Sequence, residues 1–285
     1  MYRFFCCILL FSIIILGFSS CAKNENYIHY YQEVNRIDSV YRLANQPQLT
    51  VKEYKKLFKK YEPKNQERIQ EFETYILLSD QYNEDFGGKE TLKKLVTMKY
   101  YLGDRLKQYE GLFQKYGLQD EEVKQLIKET KQKQNQKLVD SFKIVLERDQ
   151  EGRAEKDFLT INKNVDRNAK FLLWYFDRYG YPTRGKIGEF PMPTLLSHLS
   201  ESVDNSILRE KVLDHVKYGD CEPFVYALMI DGLNLNLKRS TIYRYTEWGA
   251  LDSTTIDKNR KNIGLPSLKH QAVIDKDFFK RLNRE

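Results

Sequence analysis

Residues 91–117 read TLKKLVTMKYYLGDRLKQYEGLFQKYG. Leu92, Leu95, Met98, Leu102, Leu106, Tyr109, Phe113 and Tyr116 recur at intervals of three and four, with one interval shared between two turns, which gathers them on one helical face. Charged and other polar residues occupy most other positions, and Gly117 stands where a left-handed C-terminal cap belongs. The spacing predicts one long amphipathic helix that ends there.

The same period extends in both directions. Upstream, Tyr27, Tyr31, Val34, Ile37 and Tyr41 form one stripe, and Gln46 to Gln48 with Pro47 interrupts it. Thr50 and Glu53 then make a capping-box signature ahead of Val51, Tyr54, Leu57 and Phe58, and Pro63 stops that segment. Ile69, Phe72 and Ile76 carry a third stripe to Gly87-Gly88. Downstream, Asp120, Glu121 and Glu122 restart a helix, since acids in a first turn complement its dipole. Its stripe passes through Val123 and Leu126 and resumes at Leu138, Phe142, Val145 and Leu146. Lys128 to Lys137 has no large apolar residue, which reads as a solvated helical bridge or a hinge. The domain boundary is placed there, giving a helical region over 21–135 and a second domain over 136–285.

In that second part Phe158, Ile161, Val165, Leu172 and Phe176 indicate helices, with Asp166 and Asn168 opening the last of them. Further helices fit Ile207 to Val216, Phe224 to Leu233 and Asp257 to Asn262. Thr241 to Trp248 alternates β-branched and aromatic residues, the pattern of a short β-hairpin. The expected fold is mainly α, with a helix-rich C-terminal domain carrying that one small hairpin. Landmarks of a tetratricopeptide array are missing.

Composition narrows the class. A formal net charge of +7 looks basic, yet lysines and arginines alternate with acids along the chain, as on solvated helix faces, so nucleic acid is not an expected partner. At the N-terminus, Met1-Tyr2-Arg3 precedes an apolar run from Phe4 to Phe18, then Ser19-Ser20-Cys21. The run is roughly 15 residues, short of the ~20 that cross a bilayer, and it resembles a bacterial lipoprotein signal over residues 1–20. The resemblance implies that Cys21 is lipidated, with palmitate among its acyl chains, and becomes the first residue of the mature protein. The expected location is the outer membrane of the bacterial cell envelope, facing the periplasm or the surface. Lys23 and Glu25 are similar to the signal that sends some lipoproteins outward, interrupted by Asn24. Cys6 and Cys7 leave with the signal, so Cys221 is the one remaining thiol and no internal disulfide forms. Asp220 and Glu222 beside it suppress its thiolate, which makes it structural.

His29, His198, His215 and His270 are dispersed, with no metal-ligand spacing, and no P-loop, nucleophile elbow or dinucleotide fingerprint occurs. No metal or cofactor is expected. What remains is a set of polar residues inside apolar segments: Asp149 and Arg153, Asp166, His198 and Asp231. Each has a structural explanation. Asp149 and Arg153 are four apart and suit a helix-surface ion pair, and a histidine between leucines suits a core. Convergence of these five in one place would instead make His198 a general base, with Asp231 or Asp166 orienting it or holding a metal and Arg153 binding an anionic substrate bidentately.

From about Ile144 to Leu268 the chain resembles an uncharacterised bacterial family, domain of unknown function 6624. The resemblance rests on Asp149-Gln150-Glu151-Gly152-Arg153, Val165-Asp166-Arg167-Asn168, Tyr179-Gly180-Tyr181-Pro182 with Gly188, His198, Asp231 and Asn259 to Pro266. The family has Gln-His-Ala at Ser197-His198-Leu199, Asp-Arg at Asp231-Gly232, and Tyr-Gly-Thr-Gln near Tyr243-Arg244-Tyr245-Thr246. It implies no activity.

Three readings of function follow. The favoured one is an envelope lipoprotein that binds a partner or ligand through its helical scaffold, without catalysis. The second is a hydrolase or transferase using the His/Asp/Arg set. The third, prompted by 20 tyrosines and 16 phenylalanines, is glycan binding. The lipid anchor is tested by Cys21→Ala: fractionation should move the protein from membrane to soluble fractions, and an unchanged, normally processed membrane pool refutes the anchor.

Overall fold

Glu73 is buried and holds two partners that a straight helix would keep apart. Lys99 Nζ donates to its Oε2 at 2.8 Å and Tyr109 Oη donates to its Oε1 at 2.6 Å. Ten helical residues rise about 15 Å, and the helix expected over 92–116 would have to run straight from Lys99 to Tyr109. In the computed structural model, which describes residues 26–63, 71–245 and 251–282, it does not. One helix runs Gly88–Met98, a 3₁₀ segment covers Tyr100–Tyr109 with Gly103 at φ 54°, ψ −124°, and a further helix covers Glu110–Lys115. Gly103 adopts a conformation that side chains resist, and the fold over at Gly103 brings Lys99 and Tyr109 together. The expected single helix is thus corrected to three pieces. Gly117, at φ 72°, ends the last of them.

Fourteen α-helices and no strand occur among the described residues. In chain order they are α1 Tyr27–Arg42, α2 Pro47–Lys60, α3 Glu71–Gln81, α4 Gly88–Met98, α5 Glu110–Lys115, α6 Asp120–Gln132 and α7 Gln136–Gln150. Then follow α8 Phe158–Tyr179, α9 Arg184–Ile187, α10 Met192–His198, α11 Asn205–Tyr218, α12 Pro223–Asn236, α13 Ser253–Asn262 and α14 Leu268–Leu282. The mainly-α expectation holds. Helix α2 starts at Pro47 rather than at a Thr50 cap, because proline loses nothing in a first turn. Thr50 is fully buried and donates to Gln46 O. Asp166 likewise does not open its helix: α8 begins eight residues earlier, where Asp157 accepts from Leu159 and Thr160. Across the end of α6 and the start of α7, residues 128–137 contain no buried position.

Residues from Tyr30 to Met229 share one buried apolar cluster. At its centre Phe142 meets Phe171, Tyr175 and Phe190, with ring centroids 5.0–5.5 Å apart. Helix α1 is tied to the C-terminal end by polar contacts. Asn35 donates to Gly264 O and Gln32 to Lys261 O, both at 2.8 Å. His270 Nε2 lies 2.6 Å from Asp38, whose carboxylate Arg42 also grips. Gly264 is needed there, since a Cβ would lie 2.7 Å from that of Tyr31.

The hairpin expected over Thr241 to Trp248 is not seen, and no strand occurs in 241–245. Residues 246–248 lie outside the described residues, and 241–245 form an irregular turn. Their backbone groups are already engaged. Asp231, completely buried on α12, accepts from the N–H groups of Ile242, Tyr243 and Tyr245 at 2.8–3.1 Å. Arg260, 1% exposed, donates to Tyr243 O, Pro266 O and Gln271. A segment clamped from both sides has no ladder to offer. Asp231→Ala strands three backbone donors, one of them buried, and should lower stability by about 3 kcal/mol in urea unfolding. Asp231→Asn, which keeps one acceptor oxygen, should cost less.

Candidate functional site

Helix α7 buries Phe142, Val145 and Asp149 along one face, so its core stripe ends in an acid. The Asp149 side chain is 2% exposed, and burial of a carboxylate demands donors. Three are present. Gln150 Nε2 donates at 2.7 Å, Arg153 Nη2 at 3.1 Å, and His198 Nδ1 lies 3.0 and 2.9 Å from the two oxygens. Arg153 reaches back from the turn after α7, and its Nε also donates to the Asp149 carbonyl. Gly152, at φ 80°, makes that turn tight: a Cβ there would press on Asp157 O and Thr160 at 3.3 Å. His198 is the last residue of α10, with Leu195, Leu196 and Leu199 buried around it.

Protonation follows from this geometry. Burial pushes the Asp149 carboxyl upward, but the hydrogen bond and charge of His198 and the charge of Arg153 outweigh it and hold the group below the ordinary range. An ionised carboxylate only accepts, so His198 Nδ1 carries hydrogen. The ring is 28% exposed, and its Nε2 has no hydrogen-bond partner among the described residues. The Arg153 guanidinium spends two nitrogens on its own helix end, which leaves Nη1 rather than a bidentate fork for an anion.

The five residues singled out from sequence therefore divide. Asp149, Arg153 and His198 meet. Asp166 instead accepts from Ser202 Oγ at 3.0 Å and Val203 N at 3.2 Å, holding the turn before α11. Asp231 is committed to the 242–245 backbone. Neither contacts His198, and their proposed orienting roles are withdrawn. Cys21 lies outside the described residues. Cys221 is buried, and burial pushes its thiol far up.

Sequence reasoning missed a second set of the same composition. Asp38 and Arg42 on α1 are also four apart and also receive a histidine, His270. The i, i+4 pair was legible, but a partner 232 residues away was not. There His270 is 4% exposed and Arg42 7%, so that set is sealed where the Asp149 set is open. Among the described residues no group of three His, Cys, Asp or Glu is placed to hold a metal.

A cleft of about 340 Å³ lies elsewhere, between the 97–100 segment and the chain from Tyr181 to Val225. It includes Met192 and Pro193 at the start of α10 but not His198 at its end. In comparisons with family models, curated proteins and solved structures, nothing matches this chain.

Because the folded state favours ionised Asp149, that contribution to stability is complete above the ordinary aspartate value near 4. It is lost as pH falls through the lower folded value. Asp149→Asn should flatten the fall in melting temperature between about pH 4 and pH 2, measured by circular dichroism.

Proposed function

We propose that this chain is a lipid-anchored protein of the bacterial envelope that performs acid–base chemistry at Asp149, His198 and Arg153. One observation carries the chemical part: Asp149 fixes His198 through Nδ1 while Nε2 stays open at the surface. In that arrangement Nε2 takes a proton from water or a substrate hydroxyl and later returns it to a leaving group. Asp149 holds the tautomer and stabilises the imidazolium, and Arg153 Nη1 attracts a developing negative charge. The chemistry suits hydrolysis or transfer on a carboxylate or phosphate ester. His270 has the same partners without access, so it serves structure.

The location rests on the signal-like residues 1–20 and on Cys21. Likeness of residues 144–268 to the domain of unknown function 6624 family supplies no activity, but Asp149, Arg153 and His198 are among its landmarks. The partner-binding reading draws on Phe158 and Leu159, which stand 68% and 85% exposed at the start of α8.

Purified protein should hydrolyse p-nitrophenyl acetate or p-nitrophenyl phosphate. His198→Ala should cut kcat by about 100-fold or more, as loss of a general base does, with circular dichroism unchanged. Turnover that survives the substitution intact removes His198 from the chemistry.

A further inference from the structure

The Tyr179-Gly180-Tyr181-Pro182 motif and Gly188 have no part in the His198 chemistry, yet the structure builds them with care. Gly180 and Gly188 bracket a nine-residue loop at φ 70°, ψ −159° and φ 78°, ψ −160°, a region open essentially to glycine alone. Lys186 is turned inward, where Nζ donates to the carbonyls of Tyr179 and Tyr181. Burial lowers its pKa, so the loop holds an amine at some cost. Tyr100 and Gln134 both donate to Arg184 O from the opposite wall, at 2.8 and 3.1 Å. A loop fixed by two glycines, an inward lysine and two cross-wall hydrogen bonds presents its side chains rigidly, as binding loops do.

What it presents them to is the cleft of about 340 Å³, near the lower end of small-ligand sites, roughly 300–1,000 Å³. Phe190 and Phe224, both half-buried, supply aromatic surface, and Arg184, Asp220 and Glu222 supply polar groups. The Arg184 guanidinium stands over the Tyr101 ring, 4.1 Å from its centroid. We infer that this cleft binds a sugar of one or two rings. A pyranose has an apolar face of C–H groups that lies on aromatic surface and a rim of hydroxyls that donate to carboxylates. A carboxylate offers about four lone-pair sites, so Asp220 and Glu222 accept hydroxyls alongside their other contacts. Two acids against one guanidinium disfavour a phosphate or nucleotide, and three charged groups disfavour an acyl chain. The site does not depend on the His198 chemistry, since it lies at the other end of α10.

Gly185 provides the test. It lines the cleft, and a Cβ there would approach only Thr183 Oγ1, at 3.9 Å, so a large side chain is added at the edge of the cleft without displacing the core. N,N′-diacetylchitobiose, cellobiose and maltose are titrated by calorimetry and saturation-transfer NMR against the wild type, Gly185→Trp and Glu222→Gln. At least one sugar should bind saturably to the wild type. Gly185→Trp should weaken it more than tenfold and Glu222→Gln severalfold, with melting temperatures preserved. Absence of binding by all three sugars overturns the inference, and so does binding that both variants leave unchanged. The readout is binding, so a failure here is separate from a failure of turnover at His198.

Discussion

A buried carboxylate must be neutralised in place, and at Glu73 that requirement shapes the chain. Its two donors, Lys99 and Tyr109, belong to a stretch whose apolar period asks for a straight helix. Dehydrating a carboxylate without partners costs far more than interrupting a few helical hydrogen bonds, so the helix yields at Gly103, where the backbone conformation is cheapest. The consequence travels further than the bend. It turns Tyr100 toward Arg184 and sets Met98 and Tyr100 as one wall of the cleft. The shape of that surface is a by-product of one charge in the N-terminal half.

The same rule, applied twice to Asp and Arg four residues apart, gives two different results. On α1, Arg42 takes both oxygens of Asp38 and also reaches Asp277, and His270 closes the set beneath α14. A set so enclosed fixes which helices meet, and its net contribution to stability is small beside the cost of removing one member. On α7, Asp149 is as deeply buried, but the histidine it receives ends a short helix at the surface. Burial on the acid side fixes the ring, and exposure on the other side leaves a nitrogen free to exchange a proton. Depth, rather than residue type, separates the sealed set from the open one.

Most helices were legible because apolar periodicity reports the core face directly, as at α1, α7, α11 and α12. The errors have a common cause. The straight helix over 92–116, the Thr50 cap and the hairpin at Thr241 are all sound local readings, overturned by partners distant in sequence or, at Pro47, by a stronger local signal. No local pattern reveals that Asp231 will occupy three amides of residues 242–245, or that Arg260 will take the Tyr243 carbonyl. The Asp149–Arg153 pair was readable from spacing. Its meeting with His198, 49 residues on, was open in the sequence, and the exclusion of Asp166 and Asp231 was not readable at all.

The surroundings of His198 are set by how closely α10 and α12 approach. A Cβ on Gly232 would stand 2.9 Å from Ser197 Oγ, so residues 197 and 232 share one gap between the two helices. Two small residues fill it, and a larger side chain at either would need its neighbour to move. One residue earlier on α12 the constraint is electrostatic rather than steric. Arg244 sits at φ 59°, a left-handed position uncommon for a residue with a side chain, and Asp231 holds the amides of Tyr243 and Tyr245 on either side of it. Three backbone N–H groups on one carboxylate hold that turn where local preference alone would not. Close packing at one position of α12 and a buried acid next to it thus fix both the helix beside His198 and the turn that follows.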